Sequence, residues 1–275
     1  MKPCISQVTT LKASFAEDIA ACAEAGWNFV EIWLTKLETY LEHHALHETR
    51  KLLEDSGVSP AAASFQGGLL QSSATERRVH VEHFRRRLDV CQALSIPVMV
   101  VTADFHQPVA PPEVGEVITR LKEAGQWAAG ANVSLALEFR ATSPFCHNLQ
   151  TALALVDSVG EANVGVNLDI FHFSVGPSKT EDLGLLSSRN LLHVQACDLA
   201  AGLRELATDA DRILPGDGDL DLASVFTRLR TIGYNGCVSL ELMNPMLWSM
   251  KLAQVLEVGR LALERFVRTT EPRTK

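Results

Sequence analysis

The sequence predicts an α/β protein, a single-domain (β/α)8 TIM barrel over residues 1–275. Eight apolar, β-rich runs alternate with amphipathic helical stretches along the chain, which is the order expected of a parallel sheet. Several of these runs show no polar alternation, as is typical of strands that are buried on both faces. Divided by eight, the 275 residues give about 34 residues per repeat, close to the length of a βαβ unit.

The first half of the chain contains four of the predicted strands. Ser14 and Glu17 match the capping box at the start of a helix, and Gly26 and Gly57 mark helix ends. The run IPVMVVT is rich in valine and apolar, which indicates a buried strand. The predicted strands are 5–9, 28–34, 61–65 and 96–102, and the predicted helices are 15–25, 43–55 and 75–94.

The second half repeats the alternation more clearly. The predicted strands are 133–139, 164–168, 191–196 and 237–242, and the predicted helices are 112–129, 149–159, 180–186, 222–232 and 246–267. An open doubly wound sheet is the alternative arrangement for this order of elements. That alternative receives no support from a glycine-rich phosphate loop, because Gly67 and Gly68 form only a pair and the GDGD segment follows no strand directly.

Composition excludes several classes of protein. The 47% apolar content argues against disorder, and the net charge of −8 argues against nucleic-acid binding, including DNA repair. No apolar run reaches the roughly 18 residues of a membrane span, and no secretory h-region is visible. The six cysteines lack CxxC pairing, which indicates reduced, buried thiols in a cytoplasmic protein. A homo-oligomer, dimer or tetramer, is compatible with these features.

Polar residues stand at the predicted carboxyl ends of the strands, where barrel active sites lie. Glu138, Asp169, Gln195 and Glu241 come from strands five to eight, one from each. Carboxylates this close would repel one another, and a divalent cation would remove that repulsion. Three carboxylates and an amide oxygen favour Mn²⁺ or Mg²⁺, with Zn²⁺, Co²⁺ or Fe²⁺ as further options. For each acid taken alone, an ordinary salt bridge remains the alternative.

Further strand-end residues are candidates for contacts to a small-molecule substrate. His106 and Arg140 would bind a carboxylate or phosphate, and Glu31 would orient the substrate or pair with a neighbouring cation. Trp33 would form a wall of the pocket, or pack in the core. His172, three residues after Asp169, is a candidate catalytic residue, with a core histidine as the alternative.

Five segments carry a resemblance to a known family. They are VSLALEFR, NLDIFHF, LLHVQACD, RILPGDGDLDL and GYNGCVSLEL. They resemble the sugar phosphate isomerase/epimerase group, the xylose-isomerase-like barrels, and the likeness covers nearly the whole chain. The resemblance implies a (β/α)8 barrel, one catalytic divalent metal, and action on a polyol, a keto-sugar or a cyclic hydroxy-ketone.

Residue by residue, the resemblance implies specific roles. Glu138, Asp169 and Glu241 match metal ligands, His172 matches a histidine that contacts substrate, and Arg212 matches an arginine that contacts substrate oxygens. One position departs from the usual pattern. Epimerases of the group carry His-x-His on strand seven, whereas this chain has His193-Val194-Gln195. Similar barrels with glutamine as a ligand there include bacterial 3-dehydroshikimate dehydratases.

The implied chemistry begins with a polarised substrate carbonyl and an enediolate. Glu138 and Glu241 would serve as the acid–base pair that moves the proton next to that carbonyl. Return of the proton to the other face or to the neighbouring carbon gives an epimerase or isomerase, which is the leading prediction. Loss of a β-hydroxyl instead gives a dehydratase acting on 3-dehydroshikimate or an inosose, and the sequence leaves this alternative open. A non-catalytic binding barrel is the remaining hypothesis, and the intact ligand set argues against it.

Overall fold

Eight parallel strands close into a barrel. The computed structural model describes residues 1–71 and 74–268, so residues 72–73 and 269–275 of the predicted domain lie outside the described part. The ring order is β1-β10-β7-β6-β5-β4-β3-β2, and every neighbouring pair is parallel. The barrel strands are β1 (Lys2–Ser6), β2 (Phe29–Trp33), β3 (Ser59–Gln66), β4 (Val98–Thr102), β5 (Ser134–Glu138), β6 (Val164–Asp169), β7 (Leu191–Ala196) and β10 (Cys237–Leu240). The predicted TIM barrel is therefore confirmed, and the open sheet is excluded.

Helices surround the barrel and bury one apolar face each. They are α1 (Phe15–Glu24), α2 (Leu34–Leu41), α3 (Leu46–Ser56), α4 (Ala74–Ala93), α5 (Val114–Gly130), α6 (Leu149–Val159), α7 (Ile170–Val175), α8 (Leu222–Thr231) and α9 (Leu252–Val267). The predicted capping box is present, because the Glu17 amide donates to Ser14 Oγ and the Glu17 carboxylate accepts from the Ser14 amide. Helix α3 ends at Gly57, whose φ of +70° is the left-handed conformation that glycine adopts without strain.

Three predicted elements begin three or more residues away from the position that the sequence predicted. Strand β1 lies at Lys2–Ser6 rather than at 5–9, because the chain turns after Ser6, whose carbonyl accepts from the Thr9 amide. The predicted helix 43–55 begins at Leu46, and helix α2, absent from the sequence prediction, follows β2 directly. The predicted helix 246–267 begins at Leu252, because the backbone at Met250 and Lys251 is extended.

The turn after β1 contacts a buried ion pair between Asp18 of α1 and Lys36 of α2. With Thr10 of the turn, this pair is here called the loop cluster (Thr10, Asp18 and Lys36). Lys36 Nζ lies 2.7 Å from Asp18 Oδ2 and also donates to the carbonyl oxygens of Gln7 and Thr10. The Thr10 hydroxyl donates to the same carboxylate oxygen at 2.8 Å. A buried charge is stable when it is paired and hydrogen-bonded, and this cluster fixes the β1–α1 loop against α2.

A small hairpin interrupts the connection between β7 and α8. Strand β8 (Asp198–Leu199) pairs antiparallel with β9 (Arg212–Ile213). The Asp198 carboxylate accepts hydrogen bonds from the amides of Leu199, Gly216 and Leu220, so one side chain closes the loop. A Cβ atom at Gly218 would lie 2.3 Å from the Leu199 carbonyl oxygen, so this position has no space for a side chain.

The apolar core fills the space between the strands and the helices. Five of the cysteines are buried, Cys237 is partly buried, and all six are free. In the part of the chain that the structure describes, no helix is both long and apolar enough to cross a membrane.

Candidate active site

The four predicted metal-ligand candidates meet at the carboxyl end of the barrel. Glu138 ends β5, Asp169 ends β6, Gln195 lies on β7 and Glu241 directly follows β10. Asp169 pairs in register with Gln195, and the Glu241 amide donates to the carbonyl of Ala196 at the end of β7. All four side chains are buried, with exposed fractions of 7% or less. Together with Arg212, these residues are called the mouth cluster below.

Sequence reasoning missed Asn167, which joins two members of this cluster. Its Nδ2 donates to Glu138 Oε1 at 2.9 Å and also to Gln195 Oε1. Asn167 is fully buried, and within the described residues its Oδ1 has no hydrogen-bond partner. The available signal was periodicity, since Asn167 stands two residues before Asp169 and therefore shares its face of β6.

Gln195 is oriented by a second set of hydrogen bonds. Its Nε2 donates to Glu31 Oε1 at 2.8 Å and to Glu241 Oε1 at 2.9 Å. The amide oxygen therefore faces Asn167, and the amide nitrogen faces the carboxylate of Glu241. In this arrangement the Gln195 amide nitrogen holds Glu241 in place. For Gln195 to bind a metal through its side-chain oxygen, the side-chain amide of Gln195 would have to rotate.

Glu31 and His193 form a buried pair across the barrel. His193 Nε2 lies 2.9 Å from Glu31 Oε2, and the exposed fractions of the two residues are 1% and 0%. Burial acts to raise the pKa of Glu31, but the hydrogen bond and charge of His193 outweigh burial, so the pKa is lowered and Glu31 is ionised. The structure places Glu31 against His193, and the full burial of Glu31 separates it from the pocket surface.

Arg212, carried by β9, lies between two of the predicted metal ligands. Its guanidinium contacts Asp169 at 2.8 Å, Glu241 at 3.1 Å and Asp209 at 2.7 Å. It also lies 4.4 Å from the ring centre of Phe171, in cation–π geometry. Arg212 is 1% exposed, so the chain holds a permanent positive charge at the bottom of the barrel mouth.

Burial gives the carboxylates of the mouth cluster unequal proton affinities. Burial raises the pKa of Glu138 to about 8, and the negative charge of Asp169 adds to the rise. Burial also raises the pKa of Glu241 well above its usual range, against the opposing charge of Arg212. For Asp169 burial acts in the same direction, but Arg212 and His172 outweigh it and lower the pKa. Two protonatable carboxyl groups therefore lie beside one ionised carboxylate, which is a pattern suited to acid–base chemistry.

His172 and Arg140 lie beside the cluster with incomplete hydrogen bonding. His172 Nε2 is 3.9 Å from Asp169 Oδ2, and the residue is 4% exposed. Neither His172 Nδ1 nor Arg140 Nε has a hydrogen-bond partner among residues 1–71 and 74–268, although both atoms are buried. Burial lowers the pKa of His172 despite the nearby charge of Asp169, so its imidazole is neutral at pH 7.

The remaining two candidates line a neighbouring cavity. Trp33 and His106 border a cavity of about 320 Å³ together with Phe65, Gln66 and Asp104, at the carboxyl ends of β2, β3 and β4. Trp33 is partly buried and His106 is exposed. The structure therefore places these two residues at the rim of the barrel mouth rather than within the mouth cluster.

The donor atoms of the mouth cluster fit a divalent cation in type. Glu138, Asp169 and Glu241 offer carboxylate oxygens. Burial, and after it the charge of neighbouring carboxylates, raises the pKa values of Glu138 and Glu241, and a bound cation would oppose both effects. As the side chains stand, no three His, Cys, Asp or Glu residues in the described ranges are arranged closely enough to hold a metal ion. Arg212 occupies the space between Asp169 and Glu241, so metal binding there requires its side chain to move.

The protein is an enzyme-like (β/α)8 barrel, as three features indicate. The ring of strands is closed, acid–base residues lie at its carboxyl end, and an arginine is buried beside them. The family model described as xylose isomerase-like TIM barrel matches residues 19–258, and the chain belongs to this family. The resemblance predicted from the sequence motifs is thereby confirmed.

Curated relatives match over most of the chain. An inosose isomerase of Halalkalibacterium halodurans is 28% identical over 269 residues, which cover 94% of each chain. A 3-dehydroshikimate dehydratase of Pseudomonas aeruginosa is 26% identical over 243 residues, which cover 86% of this chain and 37% of that protein. Because these relatives are an isomerase and a dehydratase, the prediction of an enzyme of this group is confirmed.

Solved structures show the same architecture. A crystal structure of the IolI protein with a bound zinc atom matches at a TM-score of 0.92 and 24% identity, covering 97% of this chain and 98% of that one. At this level of identity the match shows the fold.

Proposed function

We propose that this protein is a divalent-metal-dependent isomerase or epimerase of a sugar-like hydroxy-ketone. The observation that carries the proposal is the pair of buried carboxyl groups with raised pKa values, Glu138 and Glu241, at the mouth of the barrel. The inosose isomerase relative supports a cyclic polyol-ketone as the substrate. The partner is thus a small molecule, and we expect no nucleic acid.

The metal would be held by Glu138, Asp169 and Glu241, with the Gln195 oxygen as the fourth ligand. Its chemistry when bound is that of a Lewis acid for adjacent hydroxyl and carbonyl oxygens. The oxygen-only donor set favours Mn²⁺ or Mg²⁺ over Zn²⁺, Co²⁺ or Fe²⁺. The zinc atom bound in the IolI structure supports a divalent ion in a barrel of this fold.

The protein's own residues supply the proton transfers. One of Glu138 and Glu241, ionised, removes the proton next to the substrate carbonyl, and the other, protonated, returns a proton to the enediolate. The guanidinium of Arg212, which must leave its place between Asp169 and Glu241 when a metal binds, would stabilise the negative charge that develops on the substrate oxygens. The neutral His172 contacts a substrate hydroxyl through its free Nδ1. Trp33 and His106 border the open side of the site, where the remote end of the substrate would lie.

A dehydratase is the second candidate function. Gln195 favours it, since glutamine replaces the second histidine of the epimerase pattern, and the dehydratase relative supports it. The same proton abstraction leads to dehydration when a β-hydroxyl leaves from the enediolate. A homo-oligomer and a cytoplasmic location remain predictions from the sequence.

Proton exchange tests both functions at their shared first step. Protein stripped with a chelator is incubated in D₂O with an inosose and a panel of keto-sugars, with and without added Mn²⁺. We expect deuterium to be incorporated at the carbon beside the carbonyl only when the metal is present. NMR spectroscopy measures this incorporation. Appearance of a conjugated, ultraviolet-absorbing product assigns the dehydratase. Absence of exchange and of product with every substrate and metal contradicts the proposal.

A further inference from the structure

A guanidinium that forms no ion pair with the described residues lies beside the mouth cluster. Arg140 stands two residues after Glu138, at the start of the loop between β5 and α6, and is partly buried. Its backbone is fixed, because its amide donates to the Cys146 carbonyl and its carbonyl accepts from the Ser143 amide. Its Nε is buried, yet no acceptor among the described residues contacts it. A buried, unsatisfied arginine donor is costly unless a ligand supplies the acceptor.

The loop that carries Arg140 packs against the helix that carries His172. A Cβ atom at Gly176, the residue that ends α7, would lie 2.7 Å from the His172 carbonyl oxygen and 3.3 Å from Ala141 Cβ. The absent side chain therefore allows the two elements to touch. The charge of Arg140 acts to lower the pKa of Glu138 and the pKa of His172.

Arg140 and Arg212 differ in their partners. Three carboxylates hold Arg212, whereas Arg140 has no such partner in the described ranges. The planar guanidinium matches a carboxylate through two parallel hydrogen bonds. A phosphate dianion fits less well here, because the ionised carboxylate of Asp169 would repel its second charge.

We propose that Arg140 binds a carboxylate of the substrate, so that the substrate is a cyclic hydroxy-ketone acid. This inference rests on the proposed function, which supplies the proton transfer beside the substrate carbonyl. It adds that the substrate carries a carboxylate. The free Nδ1 of His172 contacts a ring hydroxyl on the same side. A neutral polyol would offer Arg140 only uncharged hydroxyl acceptors, which form weaker hydrogen bonds with a guanidinium than a carboxylate does, and that difference provides specificity.

A matched pair of ligands tests the carboxylate without any mutation. 3-Dehydroshikimate and its methyl ester share one ring and differ in a single negative charge. We expect calorimetry on the Mn²⁺-loaded protein to show at least about tenfold tighter binding of the acid, as loss of a charge-assisted bidentate contact implies. Equal affinity for acid and ester overturns the proposal.

Arginine variants locate the contact. Arg140→Met removes the charge and should abolish the preference for the acid, whereas Arg140→Lys keeps the charge and should retain part of it. Arg189→Met is the matched control, because Arg189 is exposed just before β7, at the opposite end of the barrel. A preference for the acid that survives Arg140→Met contradicts the proposal.

Two further arms separate the alternatives. Fructose 6-phosphate should bind more weakly than the acid, and equal or tighter binding that depends on Arg140 assigns a phosphate and overturns the carboxylate. One outcome is that a neutral inosose shows metal-dependent proton exchange and that Arg140→Met leaves its KM unchanged. That outcome supports the proposed function and refutes this inference. Arg140-dependent binding of the acid without any proton exchange supports this inference and refutes the proposed function.

Discussion

Two buried charged clusters lie within this barrel, and they differ in how completely they are satisfied. In the loop cluster, Lys36 donates to three oxygen acceptors, and Asp18 accepts from both Lys36 and Thr10. Around the mouth cluster, Asn167 Oδ1 and His172 Nδ1 have no partner within the described residues. A fully paired buried charge is structural, whereas unused hydrogen-bonding capacity at the mouth of a barrel is available to a ligand.

The largest expected effect is the loss of an acid–base group from the mouth cluster. Glu241→Gln keeps the size of the side chain but removes the transferable proton, so kcat/KM should fall about 10³-fold, near 4 kcal/mol in barrier height. Steady-state kinetics measures the fall, and circular dichroism should show an unchanged fold. Glu257→Gln, on the exposed face of α9, serves as the control. Activity that survives Glu241→Gln would refute the assigned role.

The loop cluster should respond in stability instead of catalysis. Lys36→Met leaves Asp18 buried without its cation, so the free energy of unfolding should fall by about 3 kcal/mol. Urea unfolding measures the loss, and activity per folded molecule should persist. Lys51→Met is the control, because its pair with Asp55 is exposed and such pairs contribute less than about 1 kcal/mol. Similar losses from the two lysine variants would show that burial is not the decisive difference.

The pH dependence of stability should reveal the strain in the mouth cluster. In chelator-treated protein, burial raises the pKa of Glu138 to about 8 from its ordinary 4.5. Between these values the folded state binds the extra proton, so the free energy of unfolding falls as pH rises, by at most about 1.4 kcal/mol per pH unit for this group. Glu138→Gln should flatten the slope in urea titrations from pH 5 to 8. If the slope of the free energy of unfolding against pH were the same in Glu138→Gln, a group other than Glu138 would be responsible for the pH dependence.

The smallest effect is expected at the helix that carries Asp18. Ser14→Ala removes the side-chain half of the capping box of α1, and the free energy of unfolding should fall by about 1 kcal/mol. Thermal melting measures it. A loss as large as that of Lys36→Met would indicate that formation of α1, and not the buried ion pair, controls the loop cluster.

Sequence periodicity predicted the barrel because buried parallel strands are apolar and their helices carry recognisable ends. It also found the strand-end acids, since barrel topology brings those ends together. It did not find Asn167, which stands within an apolar run, or the Glu31–His193 pair, whose strands are not neighbours in the ring. Periodicity assigns a residue to a face of a strand, but the partner across the barrel depends on closure of the ring. The β8–β9 hairpin was missed because its strands have two residues each.

The pairing of β1 with β10 has a consequence for biosynthesis. Lys2 pairs in register with Cys237, so β1 leaves the ribosome long before β10, the strand with which it pairs. At synthesis rates of roughly 5–20 residues per second, that interval lasts from about ten seconds to most of a minute. Throughout that time one edge of the growing sheet stays unpaired and able to associate with other chains. We therefore expect the nascent chain to rely on chaperones until β10 has emerged.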